Sequence, residues 1–140
     1  GFSVKLDTNG GRPGVLARLL EKNLIDYIAM DVKTLPERYP LYLGTETGGT
    51  DAAESIPMII GSGVDHEFRT TCVRPMVDVE VVANIAAMLE GANLYVLQKA
   101  RKGPSLDPTF FDREQRCIPD SELVRFKKTA ESRVGKCIIR

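Results

Sequence analysis

The chain has 140 residues, 43% of them hydrophobic and 27% charged, which fits one globular domain with a modest core and excludes a disordered or fibrous segment. Nineteen basic residues offset nineteen acidic ones, no apolar run approaches the ~20 residues of a membrane span, and nothing reads as a signal peptide, so neither nucleic acid nor a membrane is expected as a partner. Three scattered cysteines, Cys72, Cys117 and Cys137, form neither a disulfide framework nor a metal-ligand cluster, and a reducing, cytoplasmic setting is the simplest expectation.

The first expected strand is Ser3–Asp7, followed by the turn Thr8-Asn9-Gly10-Gly11-Arg12-Pro13. Val15, Leu16, Leu19 and Leu20 then recur at helical spacing, and the helix ends near Asn23. Tyr27–Lys33 reads as the second strand. Pro, Gly and Thr predict a flexible loop from Thr34 to about Gly49, after which Thr50 and Asp51 can cap a helix reaching towards Ser62. Pro57 is awkward inside that helix and predicts a late start or a kink. Strand three spans Glu67–Val73. A helix from about Asp78 to Glu90 should bury Val79, Val82, Ala83, Ala86 and Leu89 before Gly91 stops it. Asn93–Gln98 is strand four, and a long loop runs from Lys99 to Pro119. Asp120 or Ser121 starts the last helix, Gly135 ends it, and Cys137–Arg140 is strand five. The chain opens on a strand and without Met, as a piece of a longer protein would.

Strands alternating with helices, without hairpin signals, predict an α/β fold of parallel strands joined by right-handed crossovers. Parallel strands covered on both sides should be almost wholly apolar. These are not. Side chains alternate across a strand, so Lys5 and Asp7 share one face, as do Asp31 and Lys33, and Glu67, Arg69 and Thr71, while Gln98 ends strand four. A curved sheet, an open or partial barrel, could enclose a polar ligand against such a face, near the strand C-termini where parallel folds place their sites. The alternative is a set of buried ion pairs filling the interior, which would be costly without thorough hydrogen bonding.

At "KLDTNG" and "AMDVK" the sequence resembles the radical S-adenosylmethionine superfamily, and it looks most like the small activating enzymes of anaerobic ribonucleotide reductase and pyruvate formate-lyase. The likeness continues through "GVDHEFRTTCVRP", "LYVLQKARKG" and "GKCIIR", and the anaerobic reductase activator type fits best. It implies that residues 1–140 are the C-terminal part of a single partial (β/α)6 barrel. It also implies S-adenosylmethionine as cofactor, a four-iron four-sulfur (4Fe-4S) cluster in the longer parent, and a glycyl radical enzyme as partner. The family's CxxxCxxC loop and GGEP-type motif are not in this sequence, so the resemblance implies an iron-sulfur oxidoreductase as parent and an inert fragment here. Cys72, Cys117 and Cys137 are expected to be buried or incidental.

By the same resemblance, Asp7 would accept hydrogen bonds from the ribose hydroxyls, a role suited to an ionised carboxylate. Lys33 would face the methionyl carboxylate while Asp31 holds its ammonium, although a structural ion pair explains the two as well. Thr71 would border the adenine and Gln98 would close the site. Arg69 reads equally as a contact to cofactor or peptide and as the counter-charge of Glu67 or Asp31. Related activators carry a histidine just beyond the Gln98 position, where this chain has Lys99, Ala100 and Arg101, which leaves the far side of the pocket open.

Asn9 and Gly10 fit a turn as well as they fit a binding role. His66, at the start of strand three, is expected to be exposed. "GTETGG", Gly44–Gly49, lacks the ending of a phosphate loop and reads as flexible, and the basic residues of the last helix read as a solvated face. Two other functions stay open. One is a barrel decarboxylase or aldolase using Lys33, against which Pro36 stands where a DxKxxD motif needs its second aspartate. The other is a non-catalytic half-barrel that associates through the exposed edge of its first strand.

Overall fold

The computed structural model describes residues 1–100, 109–112 and 116–140. Five parallel strands form one sheet in the order β1 (Lys5–Thr8), β2 (Tyr27–Asp31), β3 (Asp65–Cys72), β4 (Leu94–Lys99) and β5 (Cys137–Ile139). Among the described residues, five α-helices connect or flank them: α1 (Pro13–Glu21), α2 (Tyr39–Leu43), α3 (Gly48–Gly61), α4 (Val79–Met88) and α5 (Asp120–Ala130). Spatial order equals chain order, so successive right-handed crossovers stack every helix on the same face.

Burial follows that layout. Ile28, Met30, Val32, Phe68, Cys72, Tyr95 and Leu97 share a single core with Leu16, Ile56, Ile59, Val82, Ile85, Leu123 and Phe126 from the helices. Ala29 and Val96 point the other way, are fully buried, and yet lie outside that core. Over Ala29 runs the Arg69 side chain, which reaches Asp7 and so buries apolar surface beneath a polar head. Buried polar groups on the helix side pair internally: Thr70 Oγ1 donates to Val32 O at 2.8 Å and accepts from Tyr95 OH at 2.9 Å. Among the described residues, no buried side-chain nitrogen or oxygen lacks a partner.

Four expectations change. The segment after β2 is not a flexible loop: a 3-10 turn at Pro36–Arg38 and the short α2 fill it, and α3 begins early, at Gly48, and runs through Pro57. The first residues of α3 are fixed by packing, because a Cβ on Gly49 would lie 2.1 Å from Pro36 O. In α4, Asp78 is the cap, accepting Val81 N–H at 2.8 Å, so Val79 begins the helix half-exposed while Val81 and Ile85 join the expected Val82, Ala86 and Leu89 in the buried stripe. His66 is buried, at 4% exposure. Strand β3 starts at Asp65, two residues earlier than expected, which turns His66 into the core. Its Nδ1 lies 2.8 Å from Val64 O, and its Nε2 accepts Asn93 N–H at 3.3 Å.

The expected long loop before α5 lies partly outside the described residues, as does Arg101. Its described end is pinned to the C-terminal end of β3, where Val73 and Cys117 form an antiparallel bridge. Arg74 N–H also donates to Arg116 O at 3.0 Å.

Candidate functional site

The "DTNG" turn sets the top of the first strand. Thr8 Oγ1 accepts Gly10 N–H at 3.0 Å and Asn9 Oδ1 accepts Gly11 N–H at 2.9 Å, two local turns closed by side chains. Gly10 has φ +71°, and a Cβ there would meet Met30 Cε at 2.2 Å. Its carbonyl accepts Ser55 Oγ at 2.7 Å. The turn therefore explains Asn9 and Gly10, and it aims Asp7 at the helix-free face.

Register then brings the charges together. Asp7 pairs with Ala29 and Ala29 with Glu67, while Asp31 pairs with Arg69 one step further along. Arg69 Nε donates to Asp31 Oδ1 at 2.7 Å, and its Nη1 crosses Ala29 to reach Asp7 Oδ1, also at 2.7 Å. Only a residue as small as Ala29 leaves that path open. Lys33 Nζ closes on Asp31 Oδ2 at 2.7 Å. Beneath it, buried Tyr39 accepts Lys33 N–H at 3.2 Å, which fixes the backbone that carries the lysine. Asp31 is thus gripped from both sides. Burial alone would raise its pKa, but the hydrogen bonds from Lys33 and Arg69 overcome that and hold the carboxyl below its ordinary value.

A second cluster adjoins the first. Glu67, its side chain 4% exposed, receives both Nη1 and Nη2 of Arg140, at 3.3 and 3.2 Å, and the hydroxyl of Tyr27 at 3.3 Å. Burial first, and then the Glu67 charge, push the Tyr27 hydroxyl above its usual pKa. Lys5 Nζ sits 5.6 Å from the Tyr27 ring centre and 3.8 Å from Asp7 Oδ2.

Of the residues singled out from the sequence, Asp7, Asp31, Lys33 and Arg69 form one continuous network. Thr71 and Gln98 stand apart from it, sharing a weak 3.4 Å hydrogen bond. The polar face is also less uniform than expected, because Val96 and Ile138 carry it across β4 and β5. Asp7, Thr8, Asn9, Asp31 and Arg69 line a cavity of about 430 Å³. Thr71, Gln98, Lys99, Phe111 and Arg140 line another of about 400 Å³. A third, of about 630 Å³, lies between β1, α1 and the start of α3, with Lys33 and Tyr39 on its rim. Sequence reading passed over Arg140 and Tyr39. Arg140 was legible, two residues beyond Ile138 and so on the same face, whereas nothing local marks Tyr39.

The cysteines do not fit an iron-sulfur cluster. Cys72 and Cys137 are buried on the helix side and Cys117 is exposed on the loop before α5. Among the described residues, no three His, Cys, Asp or Glu side chains converge as metal ligands. Nor, among those residues, is any helix long and apolar enough to cross a membrane.

The fold has a counterpart among solved structures. It superposes on a domain of pyruvate-formate lyase-activating enzyme from Bacteroides vulgatus with a TM-score of 0.75, over all of this chain and 82% of that one. At 11% identity this is a likeness of fold alone. In sequence the chain is 31% identical, over its whole length, to a candidate glycyl-radical enzyme activating enzyme from Methanocaldococcus jannaschii. It spans 59% of that relative's length. No protein-family model matches the chain.

Proposed function

We propose that residues 1–140 are the C-terminal part of a radical S-adenosylmethionine barrel, and that the charged wall on the helix-free face holds the cofactor. The observation that carries this reading is Arg69, bonded at 2.7 Å to both Asp7 and Asp31, with Lys33 on the far oxygen of Asp31. Asp7 is 54% exposed and offers a carboxylate to ribose hydroxyls. Lys33 keeps ammonium protons for the methionyl carboxylate, and Asp31 holds it in place. Thr71 and Gln98 line the neighbouring cavity, where the adenine would lie. This donor and acceptor set suits a zwitterion attached to a diol.

In such enzymes the cofactor supplies the means of removing a hydrogen atom from a partner's glycine; this chain binds and orients. The parent would act on a glycyl radical enzyme of the anaerobic ribonucleotide reductase or pyruvate formate-lyase type, in an anaerobic cytoplasm. The cluster's ligands would belong to a part of that parent outside these residues, and the fragment alone would be inert. The open edge of β1, with Phe2 fully exposed and Val4 half-exposed, supports docking of a further strand there.

A Schiff-base role for Lys33 is disfavoured by its ion pair with Asp31, since that chemistry needs a neutral amine. Titration calorimetry with S-adenosylmethionine tests the reading. The chain should bind the cofactor, and Lys33→Ala and Asp7→Asn should each weaken binding about tenfold, the worth of roughly one charge-assisted hydrogen bond. Equal affinity in all three proteins would overturn it.

A further inference from the structure

The Arg69 guanidinium lies between two carboxylates in one row of the sheet. Asp7 and Glu67 flank Ala29 in register, and Arg69 Nη1 is 2.7 Å from Asp7 Oδ1 but 3.9 Å from Glu67 Oε1. A shift of about 1 Å would bring the second distance to an ordinary hydrogen bond. Glu67 has room for it. Its three bonds, two from Arg140 and one from Tyr27, are all 3.2–3.3 Å, long for charge-assisted contacts, and a carboxylate has about four acceptor positions. Asp7 is more than half exposed, whereas Glu67 is buried beyond the reach of a ligand.

We infer that Glu67 is a positioning residue, the reserve acceptor onto which Arg69 turns when a hydroxyl-bearing ligand takes Asp7. Without it, a ligand bonding to Asp7 would strip Arg69 of one partner in a largely buried site, and that loss would be charged against binding. With it, Arg69 exchanges one anion for another, keeps its Nε bond to Asp31, and frees the outer carboxylate. Nothing is transferred except a hydrogen bond. The inference rests on the proposed role of Asp7 towards ribose hydroxyls, and it can also be tested without ligand.

In the ligand-free test, Asp7→Asn removes the charge that holds Nη1, and its crystal structure should place Arg69 within about 3.2 Å of Glu67. A separation that stays near 3.9 Å overturns the exchange. In the ligand test, S-adenosylmethionine is titrated into the wild-type chain, Glu67→Gln and Glu67→Asp. Affinity should fall about tenfold in Glu67→Gln, one charge-assisted bond's worth, and recover at least partly in Glu67→Asp. Methionine lacks the diol, and its affinity should be the same in all three. Equal binding of S-adenosylmethionine by wild type and Glu67→Gln overturns the role of Glu67 and leaves the site standing. A wild-type chain that binds neither compound overturns the site reading and this role with it. Should Glu67→Gln fail to fold, the Asp7→Asn structure decides alone.

Discussion

Replacing Asp31 by Asn keeps the shape of the side chain and removes the charge at the centre of the network. Asp31 accepts two charge-assisted bonds of 2.7 Å, from Lys33 and Arg69, each contributing about 1.5–3 kcal/mol in general. An amide can still accept one of them and must turn its NH2 towards the other donor. Lys33, 36% exposed, can recover water; Arg69, 16% exposed, recovers little but retains Asp7. A net cost of about 2–3 kcal/mol follows, near one full charge-assisted bond. In urea, with a slope near 2 kcal/mol/M, the midpoint should drop by about 1–1.5 M with the slope unchanged. The pH dependence gives a sharper test. The folded-state pKa of Asp31 lies below its unfolded value of 3.8, so its contribution is complete above that value and is lost as pH falls through the folded pKa. The gap between wild type and Asp31→Asn should therefore be constant from pH 7 to about 5 and shrink below 3.8. A gap under about 0.5 kcal/mol at pH 7, the usual size for an exposed pair, would refute the argument. So would a gap that persists undiminished in acid.

Ala29→Leu should displace Arg69 from its path to Asp7, costing about 1–3 kcal/mol in chemical denaturation through overpacking and weakening S-adenosylmethionine binding more than Ala29→Gly does. Gly49→Ala drives a methyl into the Pro36 backbone and should lower the melting temperature by several degrees, whereas Gly61→Ala, with open space around it, should not. Burial pushes the Cys72 thiol up to about 12 and that of Cys137 to about 11, so a thiol reagent at pH 8 should label the folded chain once, at exposed Cys117, and three times after denaturation. Rapid labelling of either buried cysteine in the folded chain would contradict the packing of β3 and β5.

The strands were legible because their information is local: alternation in Tyr27–Lys33 and in Glu67–Val73 gives both the element and its two faces. Pairing of Asp31 with Lys33 followed from that alternation alone. What could not be read was the partnership across strands. Arg69 was balanced between Glu67 and Asp31, and the register places Asp31 beside it and brings Asp7 within reach over Ala29. His66 and the Gly48–Gly49 end of "GTETGG" depart from expectation for one reason: polar or glycine-rich composition carries no record of distant contacts, and a distant backbone satisfies the one and requires the other. Asn93 supplies the donor for His66, and Pro36 supplies the close approach for Gly49.

Whether Asp31 and Lys33 are a structural pair or half of a site turns on hydrogen-bonding capacity left over. An ion-pair lattice that serves only stability should spend its donors internally, since each uncommitted one adds desolvation without return. This wall does not. Among the described residues, Arg69 Nη2 has no hydrogen-bond acceptor, and Lys33 Nζ bonds through one contact to Asp31. Asp7, more than half exposed, has a second oxygen held only loosely by Lys5. The interior of the network is rigid, with two 2.7 Å bonds on Asp31, a buried tyrosine under Lys33 and Glu67 anchored by Arg140. Of its unspent groups, those of Arg69 and Asp7 line the cavity of about 430 Å³, and Lys33 borders the one of about 630 Å³. Rigid backing with outward capacity is how a binding surface is preorganised, and it supports the proposed reading of the pair as part of a cofactor site.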